Sequence, residues 1–348
     1  IIMTATNDDL LYKIIDTKVI DYAELVVCLF DHCNLRCVFC PQDHELLEGA
    51  SEKEILSKVP GIVDWINNNQ RSTYFKVHVM GGELFQDQFI QDGFLNYYQK
   101  FVDAINAQIT DTDKHVTFNF ITNLVFDNTQ PVLDFIEHND FKISVSYDTK
   151  GRFAQGQFDV FKDNIELFKH RIEMISSVMT RQTMIAITEG DEYYDYLYNN
   201  FKCDWDSFLP SVEKSQFLMP KESESLAFYK KLVKDYPKCI NIRPFVDDTT
   251  QNKMSCTRGN SYTVLYDNTN PAGCSGSALL RDSKTEVEDL GSTKIVNNFM
   301  EKYNCFSCEF FQRCPFTCFI KQDYKFLVDD EAQCVFKSTF EYSRDLQR

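Results

Sequence analysis

The placement of cysteines constrains this chain more than any other feature. Thirteen cysteines occur in 348 residues, and an odd number cannot be absorbed by a fully paired disulfide framework. Cys33, Cys37 and Cys40 crowd one short segment near the start. Cys305, Cys308, Cys314, Cys318 and Cys334 crowd the end, with Cys256 and Cys274 upstream of them. Thiolates at such spacing select iron-sulfur clusters or zinc. A structural zinc site takes four protein ligands, and the first triplet has no local fourth, since His32 adjoins Cys33 and neighbours chelate one ion poorly.

Around these cysteines the first two thirds of the chain alternate short β-branched or aromatic runs with segments of helical period. That is the pattern of repeated βα units on a parallel sheet. Strands are predicted at 25–30, 75–80, 116–121, 142–147, 183–187 and 215–218. Helices are predicted at 51–69, 93–109, 130–138, 159–176 and 192–201, the first opened by a capping box in which Ser51 precedes Glu54 by three residues. The count falls short of an eight-fold barrel and fits an α/β fold built as a partial (β/α)6 TIM-like barrel over residues 22–247, after an N-terminal extension of residues 1–21. Beyond about residue 247 regular period fades and cysteines concentrate, so 248–348 reads as a cofactor-stapled module. Tyr262 to Tyr266 there reads as a strand entering a turn. Cys28 reads as a small buried hydrophobe in the first strand.

Charge narrows the function. Lys and Arg number 36 against 52 Asp and Glu, a net charge of −16. Phosphate backbones are held by Lys and Arg that release counterions, so stable duplex nucleic acid is excluded. No apolar run approaches the ~18 residues of a membrane span. The polar start carries no secretory core, and many unpaired thiols suit a reducing cytoplasm.

The first triplet has the form Cys-x3-Cys-x-aromatic-Cys, with Phe39 in the aromatic slot, and it directly follows the first predicted strand. The pattern resembles the signature of the radical S-adenosylmethionine (SAM) enzymes. That resemblance implies a [4Fe-4S] cluster on Cys33, Cys37 and Cys40 whose open iron chelates SAM, with Phe39 near the adenine. The second strand ends in Gly81-Gly82-Glu83, which resembles the family's GGE motif and implies reception of the SAM amino group. Thr122 and Asn123 end the third strand, and Ser146 and Asp148 end the fourth. Those are the positions where the family contacts ribose and the methionine carboxylate.

The tail has the spacing Cys-x2-Cys-x5-Cys-x3-Cys and then a distant cysteine. It resembles the SPASM extension of a radical SAM subgroup, which carries two auxiliary [4Fe-4S] clusters. The resemblance implies Cys305, Cys308, Cys314 and Cys334 on the outer cluster, and Cys256, Cys274 and Cys318 on the inner one. Tyr262 stands where fully ligated members have a further cysteine, so the inner cluster either has an open iron or recruits a residue such as Cys239.

Members resembling this architecture often modify peptides or proteins by crosslinking, epimerisation or oxidation, and others act on small molecules. A peptide or protein side chain is the expected substrate, with a small molecule or nucleotide derivative as the alternative and a non-enzymatic metal-binding scaffold a distant third. Ser275 replaces an aspartate base of the sulfatase-maturating members, which argues against formylglycine formation. The resemblance also implies a low-potential electron donor such as flavodoxin or ferredoxin. The short segment before the first strand leaves leader recognition to a separate protein. The acidic surface favours a cationic substrate or partner.

Overall fold

The alternation of apolar and polar residues in Tyr22–Cys28 (β1) and Tyr74–Met80 (β2) makes two strands, each with one face fully buried and the other partly open. The structure is a computed structural model that describes residues 22–40, 42–70, 72–208, 218, 220–247, 261–265, 267–271, 300–311, 313–315 and 334–348. Further strands are His115–Thr122 (β3), Lys142–Ser146 (β4), Ile172–Val178 (β5), Cys203–Phe208 (β6) and Ser261–Val264 (β7). They form one sheet in the order β6-β5-β4-β3-β2-β1-β7. Pairings β1–β2, β1–β7, β2–β3 and β3–β4 are all parallel. Parallel neighbours require crossovers, and helices supply most of them. This is the α/β fold of a partial TIM-type barrel.

The helices are Glu52–Ser57 (α1), Val59–Asn68 (α2), Asp87–Gln91 (α3), Phe94–Gln108 (α4), Thr129–His138 (α5), Gln157–Leu167 (α6), Arg181–Glu189 (α7), Glu192–Asn200 (α8), Glu222–Asp235 (α9), Arg243–Val246 (α10) and Val335–Leu346 (α11). Among the described residues no helix is long and apolar enough to cross a membrane. The capping box of Ser51 forms on α1, with the Ser51 hydroxyl accepting from the Glu54 N–H at 3.3 Å and Glu54 accepting from the Ser51 N–H at 3.2 Å.

Two expectations are overturned. Residues 183–187 form the middle of α7, capped by the Thr180 hydroxyl and closed by Gly190 at φ +90°; their apolar run imitates a strand. The helix expected to reach 176 stops at Leu167, and the chain turns through a short 3-10 segment into β5. No glycine or proline marks that turn, so the sequence hides it. β6 carries acidic residues between its apolar ones and was not expected. The strand expected at 215–218 lies outside the described residues except for Leu218, which is buried.

Contacts divide the described chain into two compact units. One comprises the described residues between 22 and 175 with 261–271; the other comprises those between 176 and 247 with 300–315 and 334–348. In the first, the helix-covered face of the sheet is aromatic: Trp65 meets Phe75 edge-on at 5.6 Å, and Phe85 and Tyr98 meet Phe120 at 6.0 and 6.3 Å. The buried Lys58 Nζ donates to the carbonyls of Leu265 and Asn268, both at 2.9 Å, and so ties the turn after β7 to the start of α2. β7 follows residue 247 in sequence yet extends the sheet beside β1, with Tyr262 in register with Leu25. In the second unit Phe310 stacks on Phe340 at 4.6 Å, and the Ser343 hydroxyl donates to the Phe245 carbonyl at 2.9 Å.

Candidate functional site

The C-terminal ends of β1 and β2 continue their pairing past the strands. The Gly82 N–H donates to Phe30 O at 2.8 Å, and the Glu83 N–H donates to His32 O at 3.0 Å. This close approach is what the glycines permit. A Cβ on Gly82 would fall 2.1 Å from Asp31 O and 2.2 Å from His32 O, and one on Gly81 would fall 2.8 Å from the Phe30 ring. The loop carrying Cys33, Cys37 and Cys40 is thereby pinned to the end of β2.

Glu83 is 1% exposed, and its carboxylate is used within the protein. It accepts from the Phe85 N–H at 2.9 Å, the Thr122 hydroxyl at 2.8 Å and the Asn123 N–H at 2.6 Å, which joins the ends of β2 and β3. Three of the roughly four acceptor positions of a carboxylate are thus filled. Burial raises its pKa, against the pull of those hydrogen bonds. Thr122 is consumed in the same knot, where its hydroxyl also accepts from the Leu124 N–H at 3.1 Å. Asn123 faces the cysteine loop: its Nδ2 donates to Asn34 Oδ1 at 2.9 Å and lies 3.8 Å from Cys33 Sγ.

The loop after β4 closes the other side. Gly151, at φ +76°, accepts from the Val38 N–H at 3.0 Å, and a Cβ there would press on Val38 at 2.5 Å. Asp148 is fully buried and its Oδ2 accepts from Arg152 Nε at 2.8 Å and Nη2 at 2.6 Å. The guanidinium lies 5.3 Å from the centre of the Phe39 ring. Ser146, half-buried, ends β4 two residues before Asp148.

Cys33, Cys37 and Cys40 are all thiols, the first two buried and Cys40 half-buried. Burial drives the Cys33 thiol far up, with Glu83, Cys37 and Cys40 adding to the shift. Burial also raises Cys37, which feels Arg152 as an opposing positive charge and Asp148 as a negative one. Arg152 acts on Cys37 and Cys40 together. Among the described residues no three His, Cys, Asp or Glu side chains close tightly enough to hold a single metal ion. A cubane makes a different demand, because each thiolate binds a different iron.

Gln42 extends the site, its Nε2 reaching Asp31 Oδ1 at 3.3 Å, Gly81 O at 3.2 Å and Cys28 Sγ at 3.5 Å. Sequence reasoning missed Asn34, Gln42 and Arg152. A trace of Arg152 existed in the sequence: Gly151 beside it marks a turn, and Asp148 stands four residues before it.

In the second unit Cys305 and Cys334 lie within electrostatic reach of each other and of Cys308. Burial pushes Cys305 up to about 12, with Cys334 and Cys308 contributing. Cys314 follows, its N–H on Phe310 O at 2.8 Å. Cys256, Cys274 and Cys318 lie outside the described residues, as does Ser275. Cys239 and Cys203 are both buried; burial raises both thiols, and Cys203 adds to the rise of Cys239.

Comparison with solved structures decides the architecture. A structure of anSMEcpe with bound AdoMet superposes with a TM-score of 0.63 over 93% of this chain and 97% of that one, at 16% identity. This chain shares the fold of anSMEcpe. A second anSMEcpe structure, with AdoMet and Cp18Cys peptide bound, gives a TM-score of 0.62 at 16% identity over 94% of this chain and 98% of that one. No family model matches the sequence, and no curated protein matches it. The shared fold therefore stands at a sequence distance where only geometry carries the likeness.

Proposed function

We infer that this protein is a radical SAM enzyme that acts on a peptide or protein side chain. One observation carries the reading: the loops after β1, β3 and β4 converge, bringing Cys33, Cys37 and Cys40 beside Asn123 and the Asp148–Arg152 pair. The donor set suits a [4Fe-4S] cluster, because three thiols share one loop and the buried Arg152 cation stands near Cys37 and Cys40. Such a cluster would supply the electron that cleaves SAM to a 5′-deoxyadenosyl radical, which takes hydrogen from substrate.

The chain's own residues do the rest of the work. Gly82 lets the cysteine loop lie against β2, Glu83 locks the ends of β2 and β3, and Arg152 covers the Phe39 ring. Remaining SAM contacts fall to Phe39, Ser146 and the strand-end backbone around Gly81. The auxiliary-cluster reading of the tail is supported by the gathering of Cys305, Cys308 and Cys334. The peptide class is supported by the peptide-bound structure that shares the fold.

The test is anaerobic reconstitution with iron and sulfide, reduction with dithionite, and chromatography for 5′-deoxyadenosine. Wild type is expected to form it and the Cys33/Cys37/Cys40 triple alanine variant to form none. Equal product from both would overturn the reading.

A further inference from the structure

The amide of Gln42 has a fixed direction. Its Nε2 reaches Asp31 Oδ1 at 3.3 Å and the Gly81 carbonyl at 3.2 Å, both acceptors, so the reverse orientation would press Oε1 against two oxygens. Asp31 is 1% exposed and is itself anchored, its Oδ2 accepting from the Asp43 N–H at 3.1 Å. Gly81 is held by its neighbour Gly82, whose N–H is bound to Phe30 O. The carbonyl end of the Gln42 amide is thereby turned on Cys40, and the thiol donates to Oε1 at 3.6 Å. Gln42 is buried, so little solvent screens this dipole.

The first cysteine of the loop is arranged the opposite way. The Leu35 N–H donates to Cys33 Sγ at 3.4 Å, and Asn123 Nδ2 lies 3.8 Å from the same sulfur. Hydrogen bonds to its sulfurs are one of the settings of a cluster's potential, because a sulfur that faces N–H groups takes on added negative charge more easily. A carbonyl oxygen does the reverse. When Cys40 gives up its proton to bind iron, Gln42 Oε1 turns the negative end of its dipole on a charged sulfur in a medium of low dielectric. An electron added to the cluster increases that repulsion. The amide cannot turn away without giving up Asp31 and the Gly81 carbonyl.

We propose that Gln42 is a positioning residue that acts through Cys40: its carbonyl oxygen, aimed by Asp31 and the Gly81 carbonyl, lowers the reduction potential of the cluster held by Cys33, Cys37 and Cys40. The inference rests on the radical SAM reading for the cluster; the direction of the amide stands apart from it. A cluster that must pass one electron to a sulfonium is served by a low potential.

The test is a redox titration of the anaerobically reconstituted full chain without SAM, followed by electron paramagnetic resonance. Dithionite supplies one electron per cluster through viologen mediators. The signal followed is the one that the Cys33/Cys37/Cys40 triple alanine variant lacks. Gln42→Met and Gln42→Leu keep an apolar side chain of similar size and remove the carbonyl. At the wild-type midpoint, where reduced and oxidised forms are equal, the ratio of reduced to oxidised cluster is expected to rise to about 3 or more in both variants, with iron content at the wild-type level. A ratio that stays near 1 or falls, in a variant that keeps its iron, would overturn the proposal. Loss of this cluster from both variants would also overturn it, since Gln42 would then hold the loop rather than act on the electron. A wild type without the triplet-dependent signal would sink the radical SAM reading and this inference with it, whereas a signal that is present and unshifted sinks the inference alone.

Discussion

Replacing Arg152 by Gln probes the most enclosed charge pair of the candidate site. The Asp148 and Arg152 side chains are 0% and 8% exposed, and two guanidinium nitrogens reach one carboxylate oxygen. Gln can donate one neutral hydrogen bond but cannot balance the charge. Breaking a buried pair by removing one partner costs ~3–5 kcal/mol, because the other charge stays buried. Loss of the cation over the Phe39 ring adds ~1 kcal/mol. For a folding unit of 150–250 residues, ~1 kcal/mol moves Tm by about 2–4 °C, so Arg152→Gln is expected to lower it by roughly 8–24 °C. Urea unfolding followed by circular dichroism measures the free energy directly. Asp148→Asn combined with Arg152→Gln removes both charges and is expected to recover at least half of the loss. A single variant within about 1 kcal/mol of wild type would refute the reasoning, as would a double variant no better than the sum of the singles.

Gly82→Ala places a methyl group within 2.2 Å of two backbone oxygens, so the cysteine loop must leave the end of β2; reconstituted iron content is expected to drop and stability to fall by more than about 2 kcal/mol, in the range of strained-backbone and overpacking changes. Ser51→Ala removes the α1 cap and is expected to cost about 1 kcal/mol. Chiefly through its hydrogen bond to Ser51, the Glu54 carboxyl sits below its ordinary value. A depressed folded pKa gives stability that is present above the unfolded value and lost as pH falls through the folded one. Wild type therefore loses this contribution below about pH 4, and the variant, titrated alongside it, is expected to show a flatter acid limb.

The cysteine loop and the two glycines after β2 were legible because their meaning is local: spacing along the chain sets which atoms can reach one another. The capping box of Ser51 and Glu54 was legible for the same reason. The strand at 172–178 was not, because the turn at Phe168–Arg171 has no glycine or proline to announce it and helical period runs into it unbroken. The apolar run 183–187 has the composition of a strand, and the Thr180 cap with Gly190 decides for helix only once the segment is packed.

Roles at the site divide along the same line. Sequence alone determined that three thiols share one loop after the first strand, that glycines end the second, and that the chain carries far too many unpaired thiols for a disulfide protein. Tertiary structure alone decided that Glu83 spends its carboxylate on β3, that Asp148 serves Arg152, and that Glu24, Lys76, His78, Asn119 and Thr263 share one face. These last contacts join residues between 4 and more than 200 positions apart, and sheet register sets most of them. Register is a property of strands paired across long crossovers, and nothing in the local chemistry of any one strand encodes it.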